Sequence, residues 1–72
     1  MKARLNKTET EIMFVIIDFI KNKGYSPTYR EIGDRVWLVA GTVQYYLRNL
    51  RKKGYIDFID NKCRTIRLVK EK

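Results

Sequence analysis

The residues with the most distinctive chemistry lie between Gly41 and Arg48: Gly41, Thr42, Gln44, Tyr45 and Arg48. At helical spacing they share one outward face, whose chemistry suits the base edges of a nucleic-acid duplex. A helix fits the major groove, where each base pair shows its own set of donors, acceptors and methyl groups. Gly41 allows close approach, and the Gln44 amide can bind adenine in bidentate fashion. The Arg48 guanidinium can fork to guanine or phosphate, and Thr42 can meet a phosphate or a thymine methyl.

A second set is cationic or polar and suits phosphates. Arg51, Lys52 and Lys53 continue the same segment. Thr28, Tyr29 and Arg30 open the preceding one, where the first backbone amides of a helix also favour an anion. Lys62 and Arg64 lie at or beside a hairpin tip, placed to follow a backbone or to enter the adjacent minor groove. The alternative for Lys62 and Arg64 is an edge strand blunted by charge.

Other chemistries lack their residues. The 72-residue chain has no histidine and one cysteine, Cys63. The usual general base and zinc ligand are therefore absent, and neither a disulfide nor a thiolate cluster can form within the chain. No catalytic constellation, metal site or cofactor fingerprint is present, so we expect neither an enzyme nor a small-molecule ligand. The apolar run Ile12–Ile17 is broken by Asp18 and is too short to span a bilayer. No membrane association is expected. A free cysteine without an export signal points to a reducing cytoplasm. Sixteen Lys and Arg against eight Asp and Glu give a net charge of +8, a field that attracts polyanions.

The elements that must position these residues follow from caps and periodicity. Asn6 with Glu9 and Thr8 with Glu11 form two overlapping capping-box signals. They start a helix over about 8–23, with Ile12, Val15, Ile16, Phe19 and Ile20 as its inward stripe. Lys21 and Lys23 suit its C-terminal dipole, and Gly24 ends it. Pro27 biases Ser26 to extended geometry. Thr28 with Glu31 caps a second helix, about 28–37, with Ile32 and Val36 inward. Leu38 and Val39 read as a tight turn. A third helix, about 40–53, buries Val43, Leu47 and Leu50 and closes at Gly54. The period then becomes two: Ile56 and Phe58 alternate with Asp57, Asp60-Asn61-Lys62 supplies a turn, and Ile66 and Leu68 alternate with Thr65 and Arg67. This is an antiparallel hairpin over about 55–69 with one apolar face. The fold class is mainly α with a β-hairpin wing, a single three-helix winged helix-turn-helix domain over 1–72.

With these elements in place, the chain resembles the N-terminal DNA-binding domain of the LexA repressor family, from about Leu5 to Val69. The similarity runs through Gly24-Tyr25-Ser26-Pro27-Thr28, Arg30-Glu31-Ile32-Gly33, Thr42-Val43, Leu47, Lys53-Gly54, Ile56 and Arg64-Thr65-Ile66-Arg67-Leu68. The combination at these spacings is more specific than any one piece. The resemblance implies binding to a palindromic operator as a dimer, repression of transcription, and base readout near Gly41, Thr42, Gln44 and Tyr45. Three departures accompany it. The family's second domain, which self-cleaves with a Ser/Lys dyad and holds the dimer, has no counterpart here, so self-cleavage is not carried over. We expect either an excised fragment or a self-standing small regulator of phage or plasmid type. Trp37 and Val39 stand in the turn where the family favours glycine and a capping serine. The reading residues also differ, so the operator sequence does not transfer.

Two apolar features stand outside this scheme. Phe14 and Ile17, flanked by Met13, point away from the inward stripe of the first helix, and a helix apolar on nearly every side is usually buried on nearly every side. They are expected to form a homodimer or partner contact. Trp37 is expected to cap the core between the second and third helices. The functional expectation is a sequence-specific regulator of double-stranded DNA, acting as a repressor. The alternative is a protein-interaction module on the same fold, a small phage or plasmid factor binding a host protein. RNA binding is disfavoured because the hairpin offers only Tyr55 and Phe58 as a stacking platform.

Overall fold

The computed structural model describes residues 4–69. Three helices precede a two-stranded antiparallel hairpin: α1 Lys7–Lys23, α2 Tyr29–Val36, α3 Ala40–Lys52, β1 Ile56–Asp57 and β2 Arg67–Leu68.

Of the two overlapping caps at the first helix, the chain uses the earlier one. The Asn6 side chain accepts the Glu9 N–H at 2.8 Å, and the Glu9 carboxylate accepts the Asn6 N–H at 3.0 Å. Thr8 is thereby drawn inside α1, two residues past the cap position. The helix ends at Gly24, whose φ of 80° is the left-handed conformation that glycine tolerates best. α2 starts as expected, with reciprocal Thr28–Glu31 bonds of 2.8 and 3.1 Å. Trp37 and Lys53, the last residues of the expected second and third helices, are the C-caps.

The turn between α2 and α3 is built without its usual residues. Trp37 adopts φ 62°, ψ 40°, and its N–H and that of Leu38 both donate to the Gly33 carbonyl. Gly33 must be a glycine, because a β-carbon there would collide with the Leu38 carbonyl oxygen. Val39 is the N-cap of α3 and supplies no side-chain acceptor.

Ile12 and Ile16 from α1, Ile32 from α2, Val43, Leu47 and Leu50 from α3, and Ile56, Phe58 and Ile66 from the wing form one core. Each such burial contributes about 1.5–3 kcal/mol relative to exposure, so the wing hairpin is held mainly by its apolar residues. Its ladder is short, pairing Ile56 with Leu68 and Asp57 with Arg67. Leu68, expected to face inward, is 40 % exposed, and of the second wing segment Ile66 is the residue that enters the core. Side chains lock the remainder of the wing. Thr65 Oγ1 accepts the Ile59 N–H at 2.9 Å, and the buried Ser26 hydroxyl accepts the Ile66 N–H at 3.0 Å.

Candidate nucleic-acid interface

α3 carries Gly41, Thr42, Gln44, Tyr45 and Arg48 on or beside its outward face, opposite the buried Val43, Leu47 and Leu50. Gly41, Tyr45 and Arg48 are exposed, while Thr42 and Gln44 are half-buried at its margins. Tyr45 packs edge-on against Tyr46, with centroids 5.3 Å apart. This contact steadies the Tyr45 ring without covering it.

The cations divide into two groups that the sequence does not distinguish. Among the described residues, Arg30, Arg48, Lys52 and Lys62 make no ion pair, and all four are exposed. The other three expected phosphate-facing cations act as internal ties. Lys53 donates to Glu9 at 2.6 Å and to the Arg4 carbonyl at 3.1 Å, joining the end of α3 to the start of α1. Arg51 lies 4.1 Å over the Phe58 ring, donates to the Phe58 carbonyl at 3.1 Å and pairs with Asp60, fixing the wing to α3. Arg64 is bidentate to Glu31 at 3.0 and 3.3 Å, donates to the Ser26 carbonyl and covers the Tyr25 ring. It holds the wing to the capping box of α2.

Lys53 is thus engaged within the domain. Its ammonium is held by a carboxylate that is only 1 % exposed, a partner the cap signal at Asn6 did not announce. Thr28 and Tyr29 are also structural. Thr28 is the α2 cap, and the Tyr29 ring meets Phe58 edge-on at 6.2 Å, its hydroxyl buried and without a hydrogen-bond partner among the described residues. Burial pushes the Tyr29 pKa up. Burial also pushes Glu9 up, but the Lys53 and Asn6 hydrogen bonds and the Lys53 charge outweigh it, leaving the carboxyl below its ordinary value. The Thr28 N–H and the Arg64 guanidinium hold Glu31 below the usual carboxylate range.

Trp37 is a correction to the expected core. It is 92 % exposed rather than packed between α2 and α3, because the left-handed C-cap geometry turns its side chain away from the core that Leu38 enters. Val39 beside it is 73 % exposed. Periodicity does not mark either residue, and the signal that does is their place in the turn where the family favours glycine and a capping serine. On the far face, Phe14 is 69 % and Ile17 42 % exposed. Together with Leu5, Thr10, Met13 and Tyr55 they border a depression of about 320 Å³.

A three-helix core with a tight α2–α3 turn, a polar outward face on α3 and a hairpin wing defines a winged helix-turn-helix domain. The sequence model of the LexA DNA binding domain matches residues 2–65, and the chain belongs to that family. It is 44 % identical over 66 residues to the LexA repressor of Desulforamulus reducens, covering 90 % of this chain and 31 % of the relative. Identity to the LexA repressor of Shouchella clausii is 43 % over 68 residues, covering 93 % and 33 %. With that of Staphylococcus aureus it is 40 % over 68 residues, at the same two coverages. The chain thus spans about a third of the length of these relatives. Among the described residues, no helix is long and apolar enough to cross a membrane.

Proposed function

We propose that this chain is a sequence-specific, double-stranded DNA-binding regulator that represses transcription by occupying its site, without catalysis. The observation that carries the reading is the outward face of α3, where an exposed Arg48, with no ion pair among the described residues, stands beside Gln44, Thr42 and Tyr45 on a domain of charge +8. Gln44 and Arg48 read base edges in the major groove, with Gly41 and Thr42 allowing close approach. Arg30, Lys52 and Lys62 take phosphates. Arg51 and Arg64 act indirectly, by holding the wing where Lys62 can reach the backbone.

The domain binds as a homodimer on a palindromic site, through Met13, Phe14 and Ile17. Phe14 protrudes beside the depression it borders, and a knob next to a hole on one face is what a twofold contact requires. The same depression supports a second reading, a module that docks on a host protein. The family match and the α3 face favour DNA.

The test is a titration against random duplex DNA, with a pool selection alongside, at two salt concentrations. Steep weakening with salt, and a selected palindrome with half-sites about one helical turn apart, support the proposal. Gln44→Ala should then relax the motif. No binding at low salt would refute the α3 assignment. Phe14→Glu with Ile17→Lys should halve the mass in solution, and an unchanged dimer mass would discard that interface.

A further inference from the structure

Trp37 is the single tryptophan of the chain, and the fold gains nothing visible from it. The indole is 92 % exposed and makes no hydrogen bond or ring contact among the described residues. Its backbone sits at φ 62°, a conformation that a β-carbon disfavours. The two N–H bonds that close the turn on Gly33 are backbone bonds, available to any residue and made most easily by glycine. A strained, bulky, uncovered residue held at one particular turn points to a contact outside the domain.

The place of that turn indicates the contact. In a helix-turn-helix, the first helix crosses the sugar-phosphate backbone while the N-terminus of the second enters the major groove. Trp37 directly follows α2 and stands three residues before α3, so it lies at the lip of the groove. An indole offers a flat apolar plate and one N–H donor, with no acceptor. A deoxyribose face and a phosphate oxygen match that pair of features, whereas forked base recognition does not. The excess positive charge of the domain attracts the same polyanion.

We propose that Trp37 is a DNA-backbone contact, its plate lying on a deoxyribose at the groove lip and its Nε1–H donating to a phosphate oxygen. This rests on the DNA-binding reading above. Trp37 then trades stability of the free domain for affinity in the complex, so the two properties respond to mutation in opposite directions. Sugar and phosphate recur at every nucleotide, so its contribution is the same on a selected site and on random duplex.

The experiment uses the whole chain, its selected duplex and a random duplex. Trp37 emission, excited where the tyrosines do not absorb, should change on saturation with DNA and become protected from acrylamide quenching. Trp37→Gly should raise the melting temperature by several degrees and weaken binding to both duplexes by about tenfold, the scale of a lost hydrogen bond to a charged group. Trp37→Phe keeps the backbone strain and an apolar plate but loses the donor, and its affinity should fall between the two. An indole still open to acrylamide in the saturated complex would overturn the proposal, as would a Trp37→Gly domain that binds both duplexes as tightly as before. Weakening on the selected site alone would instead assign Trp37 to base reading and overturn the backbone contact. A wild-type chain that binds neither duplex removes the DNA-binding reading itself, and this contact with it.

Discussion

Replacing Glu9 by glutamine should destabilise the domain by about 2 kcal/mol at neutral pH. One carboxylate oxygen of Glu9 accepts from both the Asn6 N–H at 3.0 Å and the Lys53 ammonium at 2.6 Å, in a side chain that is 1 % exposed. A glutamine oxygen can keep the cap bond, so the substitution isolates the charge attraction. Breaking a buried pair by removing one partner costs about 3–5 kcal/mol. The Lys53 side chain keeps 27 % of its exposure, so water recovers part of its charge and brings the cost to the lower figure. In a domain of this size that corresponds to a melting temperature lower by about 8–16 °C. The effect has a definite pH dependence. The Glu9 pKa is lowered in the folded state, so its stabilisation is complete above the unfolded carboxyl pKa of about 4.3 and is lost as pH falls through the folded value. Circular-dichroism melts of both proteins from neutral pH into acid should therefore converge below about pH 4. A difference that persists undiminished in strong acid, or no difference at neutral pH, would show that the Glu9–Lys53 pair does not hold α1 to α3.

Other outcomes follow from the same contacts. Gly33→Ala should cost about 1–3 kcal/mol in urea unfolding, the range for overpacking, because its β-carbon meets the Leu38 carbonyl rather than a movable side chain. Val39→Ser should add about 1 kcal/mol, since α3 begins at an N-cap with no side-chain acceptor. Lys52→Ala should reduce the salt slope of DNA binding by about 1. Lys53→Ala, compared at a temperature where both variants are folded, should leave that slope unchanged, because its ammonium is already held by Glu9.

The helices were legible because their signals are local. Asn6–Glu9 and Thr28–Glu31 each satisfy two backbone N–H groups within four residues, and the apolar periods of α1 and α3 depend on helix geometry alone. The outward face of α3 was legible for the same reason, as the complement of Val43, Leu47 and Leu50. The shortness of the wing strands was less legible, since much of the wing is held by Ser26, Thr65 and Arg51 rather than by its ladder.

The sequence by itself determined the three helices, the α3 face, the excess of positive charge and the apolar patch at Phe14 and Ile17. Only the tertiary structure decided which cations remain exposed without an ion pair. Lys52 and Lys53 are adjacent at the end of α3, yet Lys53 meets a buried carboxylate 44 positions away and Lys52 makes no ion pair among the described residues. Arg64 likewise meets Glu31 across 33 positions. Trp37 was decided in the same way, since its composition suits a core while its left-handed backbone turns it outward. Helix propensity and capping act over a few residues, but an ion pair or an exposed ring depends on where distant segments meet, and packing sets that.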